Sequence, residues 1–168
     1  PFKTYAESIK IARNGNLKMS LQKLNEVIKK NENNFLLETK ADILFSYGYT
    51  NEAVKFYKKN LNEYPKNYYA QIRIFENIKI KNLSDNDTEL VFENNKELLY
   101  KYFNNKNVLL KYLELAKKLN KKEWLEFFNF ILSINYIEKE IFEIELKKFK
   151  ITKNKDLLKL INIIQNIN

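Results

Sequence analysis

Gly48-Tyr49-Thr50-Asn51-Glu52-Ala53-Val54-Lys55-Phe56-Tyr57, running on to Tyr64-Pro65-Lys66-Asn67, decides how this chain folds. A stretch built the same way precedes it by 33 residues, so that Gly15 stands opposite Gly48. Ile11-Ala12-Arg13-Asn14-Gly15-Asn16-Leu17 aligns without gaps with Leu44-Phe45-Ser46-Tyr47-Gly48-Tyr49-Thr50. Beyond the glycines, Ser20, Leu21, Leu24, Val27 and Ile28 fall opposite Ala53, Val54, Tyr57, Asn60 and Leu61. Before Gly15, the residues Tyr5, Ser8, Ile9, Ile11 and Ala12 follow helical spacing, not the alternation of a strand. Each unit therefore reads as two helices joined at a glycine whose positive φ ends the first and reverses the chain. Ser20 and Ala53 are small enough to let the two helices approach closely. Pro65, with no N–H to donate, stops the second hairpin.

Self-similarity at this period is the mark of helical-repeat proteins. Leu37, Ala41, Leu44, Gly48, Ala53, Tyr57 and Pro65 resemble the signature positions of the tetratricopeptide repeat (TPR) family over residues 34–67. Residues 1–33 resemble the same frame through Ser8, Ile11, Gly15, Ser20, Leu24 and Val27. Three positions depart from it: Asn60 stands where the family has Ala, Thr50 where it has an aromatic, and Glu32 where it has Pro. The resemblance implies an all-α, right-handed solenoid of antiparallel helical hairpins. It implies a scaffold for binding and no chemistry of its own.

The remainder is less regular. Tyr69, Ile72, Phe75, Glu76 and Ile80 extend a helix from near Asn67, with Asn82 as its expected turn and Phe75 where a small residue would stand. Ser84-Asp85-Asn86-Asp87 reads as a loop and N-cap into a helix through Leu90, Val91, Leu98, Leu99 and Tyr102. A further hairpin is expected over 105–134, with Val108, Leu109, Tyr112, Leu113 and Ala116 on one side of Asn120 and Trp124, Leu125, Phe128, Ile131 and Leu132 on the other. Helices about 136–149 and 154–166 follow, the last rich in Leu and Ile and expected to cap the open end. With no Pro/Gly/Ser-rich linker, residues 1–168 are expected to form one domain: repeats 1–33, 34–67 and a degenerate 68–104, the hairpin 105–134, and terminal helices 135–168.

Composition closes off most chemistry. Gly 2 and Pro 2 leave too few turn residues for a β-sandwich and no phosphate-binding glycine loop. Cys 0 and His 0 remove disulfides, thiol nucleophiles, histidine bases and Cys/His metal sites. Carboxylates such as Glu38 with Asp42, or Glu140 with Glu143 and Glu145, read as charged helix faces. No enzyme activity, cofactor or metal is expected. No stretch is long and apolar enough to span a membrane. The chain opens on Pro1 and not Met, so it is expected to be part of a longer product, and its compartment, cytoplasmic or tethered in a cell envelope, stays open.

The net charge is +9, yet only Arg13 and Arg73 are arginines. Asn occurs 25 times and Ile 18 times, and Lys, Asn and Ile share AT-rich codons, so a bacterium of that genome type is the expected source. The charge is spread evenly, and pairs such as Lys58-Lys59 read as solvated surface.

In the TPR frame the first helix of each hairpin lines a concave groove. The resemblance places there Phe2, Tyr5, Ile9, Ala12 and Arg13, then Phe35, Glu38, Asp42, Phe45 and Ser46, then Tyr69, Ile72, Glu76 and Lys79. Tyr5, Phe35, Phe45 and Tyr69 are the expected anchors, and Glu38, Asp42 and Glu76 the selectors for a basic segment. A clamp for a terminal carboxylate, as in chaperone-tail binders, is not expected: the matching places hold Tyr5, Ile9, Thr39 and Tyr69, and only Arg73 fits. The favoured function is a non-enzymatic adapter or partner-stabilising module that binds another protein. The alternative is a binder of nucleic acid or anionic surfaces through the lysines, with a steep salt dependence.

Overall fold

A computed structural model describes residues 2–30, 32–134 and 139–167. The described residues form eleven α-helices and one 3-10 turn, with no strand among them. They fall into two compact units, residues 1–77 and 78–168.

The first unit holds α1 (Phe2–Arg13), α2 (Leu17–Lys30), α3 (Asn34–Ser46), α4 (Thr50–Glu63) and α5 (Tyr68–Glu76). Both glycine turns form as the spacing predicts. Gly15 has φ 85° and Gly48 φ 82°. Around each, two crossed bonds close the helix end: Asn16 N–H to the Ile11 carbonyl at 3.2 Å with Gly15 N–H to Ala12 at 2.9 Å, then Tyr49 N–H to Leu44 at 3.0 Å with Gly48 N–H to Phe45 at 2.9 Å. Small residues sit at both hairpin contacts. Ser8 and Ser20 are wholly buried, and the Ser20 hydroxyl donates to the Ser8 carbonyl at 2.8 Å. Ala41 and Ala53, at the equivalent places, are also wholly buried. The hairpins are tied together by the Tyr47 hydroxyl, which donates to the Ala12 carbonyl at 2.5 Å. Asn33 and Asn67 cap α3 and α5 by accepting from the N–H groups of Leu36 and Ala70.

Asn60 makes contacts that an alanine could not. It is wholly buried on α4, and its amide donates to the Asn34 carbonyl at 2.8 Å and to Glu38 Oε1 at 3.4 Å. Its own oxygen accepts from Asn67 at 3.2 Å, and Asn67 also donates to Glu38. One amide thus joins the starts of α3 and α5 to α4, which alanine would leave unlinked.

The expected third hairpin does not form as read. Its first helix ends at Glu76, and Asn77 closes it with φ −90°. Asn82 is not a left-handed turn; it ends the 3-10 turn Ile80–Asn82. Phe75, buried where Ser8 and Ala41 are small, denies the close approach a second helix would need.

In the second unit, Ser84 caps α6 (Asp85–Asn94) as expected, its hydroxyl accepting from Asp87 N–H at 3.1 Å. The helix beyond it breaks at Asn95, and α7 (Lys96–Lys101) follows. The hairpin at 105–134 forms as α8 (Lys106–Lys118) and α9 (Lys122–Ser133), turned by Asn120 at φ 51° with the same two crossed bonds. Its core is aromatic: Trp124 stacks on Phe128 at 5.4 Å, and Phe92 meets Tyr112 at 5.2 Å and Trp124 at 5.4 Å. Lys118 donates to the carbonyls of Ile80 and Leu83, and Lys111 to that of Ile78, which anchors the segment before α6. Then come α10 (Lys139–Phe149) and α11 (Lys155–Ile167). Leu157, Leu160, Ile161 and Ile164 of α11 are buried, so its apolar side belongs to the core. Among the described residues no helix is long and apolar enough to cross a membrane.

Candidate functional site

The first unit carries a groove of about 470 Å³ between α1 and α3. It is lined by Tyr5, Ile9, Ala12 and Arg13 from α1 and by Thr39, Asp42, Ile43 and Ser46 from α3. The 33-residue repeat places the two first helices side by side, and helical spacing turns these positions to one face. Six lining residues were legible in the sequence. Thr39 was read only as a failed clamp position, and its hydroxyl is spent on the Phe35 carbonyl at 2.7 Å. Ile43 gave no signal, because its apolar character reads equally as core.

The predicted anchors part ways. Tyr5 packs against Phe35 with ring centroids 4.6 Å apart. Phe35 and Tyr69 are each 42% exposed. Phe45 instead packs on the buried cluster around Ala41, Ala53 and Tyr57, with the Arg73 guanidinium 4.3 Å above its ring. Ile72 is buried. Lys79 lies beyond α5, in the second unit. The side chain of Phe2 lies outside the described residues.

The three acids are held by neighbours. Asp42 Oδ1 accepts from the Tyr57 hydroxyl and, at 2.7 Å, from the Tyr69 hydroxyl, with Arg73 Nε 3.9 Å away. Glu38 is bound by Asn60 and Asn67. Glu76 pairs with Arg73 at 3.2 Å and keeps only 15% of its side chain exposed. Arg73 also donates to the Tyr57 oxygen at 3.3 Å, so the one residue that fits a carboxylate clamp is already engaged. Burial, then the bond to Asp42, pushes Tyr57 well above the usual tyrosine value. The same causes push Tyr69 up to about 12. Both therefore remain donors to Asp42 at neutral pH. The sequence marks Tyr57 as a repeat position and Arg73 as a clamp residue, but a core aromatic and a lone arginine carry no sign of their partner in this cluster.

Arg13 is different. It is exposed at the end of α1 and, among the described residues, makes no ion pair. Against known protein families, curated proteins and solved structures, the chain finds no match.

Proposed function

We propose that residues 1–77 form a short TPR-like stack that binds a segment of another protein in the α1–α3 groove, as a non-enzymatic adapter or partner-stabilising module. The observation that carries this reading is the groove itself. It is open, bounded by Tyr5, Ile9 and Ile43, and includes Arg13, which makes no ion pair among the described residues. Apolar walls with a few placed polar groups are what a recognition site needs.

The disposition of charge favours an acidic segment over a basic one. One oxygen of each acid is engaged: Glu38 Oε1 by Asn60 and Asn67, Asp42 Oδ1 by Tyr57 and Tyr69, and Glu76 Oε2 by Arg73. A basic ligand would have to compete with these groups. An aspartate or glutamate on the partner would instead find Arg13 unpaired, and the chain's net charge of +9 would speed its approach.

The test uses immobilised protein, nuclease-treated lysate at physiological salt, and mass spectrometry. A protein retained by the wild type and lost from both Ile9→Lys and Arg13→Glu supports the reading, because these side chains line the groove without holding the core. A partner retained equally by all three removes the groove. Material lost on nuclease treatment transfers the function to the lysine surface. Phe45→Ala and Asp42→Lys are unsuitable here, since they disturb the internal contacts of Arg73, Tyr57 and Tyr69.

A further inference from the structure

Helix α10 is attached to its unit along one side only. Phe142, Leu146 and Phe149, spaced i, i+4, i+7, face inward. Leu146 is wholly buried, Phe142 stacks on Phe130 with centroids 5.9 Å apart, and Phe149 stacks on Phe130 at 5.2 Å and meets Phe127 at 5.5 Å. The opposite side carries Ile141 and Ile144, 49% and 58% exposed, and just past the helix end Ile151, 85% exposed. Single exposed apolar residues are ordinary; three in a row along one face are not.

Charge says what covers them. After Lys139 the helix carries Glu140, Glu143 and Glu145, and the last turn with its exit holds Lys147, Lys148 and Lys150. The face is acidic at one end, apolar in the middle and basic at the other. Such a face complements itself when the second helix runs antiparallel: with the two-fold axis near Ile144, Glu140 of each copy meets Lys147 and Lys148 of the other while the two Ile144 side chains face each other. Lys148 already pairs with Glu145 of its own helix at 2.5 Å, which leaves Lys147 as the first partner across the axis. An anionic membrane would prefer a basic face throughout, which the three glutamates oppose.

We propose that α10 is a self-association surface, pairing antiparallel with α10 of a second copy of this chain. The contact is about three turns long, so the dimer is weak and reversible. It uses no residue of the groove.

Sedimentation equilibrium across a range from micromolar to millimolar protein tests it. Wild-type mass is expected to rise with concentration from 20.3 kDa toward twice that value, and Ile144→Lys to weaken association by about tenfold or more. Two charge-reversed doubles, Glu140→Lys with Glu143→Lys and Lys147→Glu with Lys148→Glu, are each expected to stay monomeric. Mixing the two is expected to restore pairing, because the more basic and more acidic faces then complement each other. The proposal is overturned by a wild-type chain that stays monomeric throughout, by association that Ile144→Lys leaves unchanged, or by doubles that fail to pair when mixed while retaining wild-type helicity by circular dichroism.

Discussion

Residues 1–77 and 78–168 close their hairpins with side chains of different size. In the first unit small residues make the hairpin contacts: Ser8 on Ser20, Ala41 beside Ala53. The backbones come close; Tyr57 and Phe75 are buried, while Phe35 and Tyr69 each stay 42% exposed. In the second unit rings fill the hairpin, with Phe92, Tyr112, Trp124, Phe127 and Phe128 all buried. Where a small pair closes the contact, part of the aromatic set is released to a surface; where rings close it, they become core.

The largest expected effect breaks the second kind of packing. Phe128→Ala removes a buried ring that touches Tyr112, Trp124 and Phe127 and is expected to cost about 3–5 kcal/mol. Trp124 is the only tryptophan and is buried here, so its fluorescence reads this unit directly during urea unfolding. Asn60→Ala probes the first unit through its polar links. It strips partners from the Asn34 carbonyl, Glu38 and Asn67 together, for an expected loss of about 1–3 kcal/mol, seen as faster amide exchange in residues 34–67. If Asn60→Ala proves neutral, the polar link is not what holds α3, α4 and α5.

Gly48→Ala comes next, at about 1 kcal/mol. A Cβ there meets nothing within 4 Å, so the cost is purely that of positive φ. Gly48→Asn is expected to cost less, since Asn120 adopts the same turn in the second unit; equal melting curves for the Ala and Asn variants would show that φ is not limiting. The smallest effect is electrostatic. Tyr69 ordinarily titrates near 10 and is raised to about 12 in the fold, so its stabilising contribution is complete below pH 10 and lost as pH climbs from 10 to 12. Tyr57, Tyr100 and Tyr112 are also raised, chiefly by burial. Stability measured by urea unfolding should fall across that window, and Tyr69→Phe should make the fall shallower.

The two hairpins of the first unit were legible because turn chemistry and periodicity are local. Gly15, Gly48 and Asn120 each mark a helix end that forms as read. Asn82 misled for the same reason: asparagine permits a left-handed turn but does not require one, and Phe75 had already removed the room for the second helix. The groove was half legible. Tyr5, Ile9, Ala12, Arg13, Asp42 and Ser46 follow from the repeat, but nothing in the sequence tells that Phe45 lies beneath Arg73 or that Asp42 serves two tyrosines.

By itself the sequence determined helices, their turns, the 33-residue repetition of the first two hairpins, and the absence of cysteine and histidine chemistry. These depend on backbone propensity, spacing and residue inventory, which act within a few turns of chain. Only the tertiary structure decided which charges are spent. Asp42 meets Tyr57, Tyr69 and Arg73 across separations of up to 31 positions, and Arg13 meets none of them. Pairing between side chains depends on which helices pack together, and that is settled by the burial of Leu24, Ala41, Ala53 and Tyr57, not by the charged residues themselves.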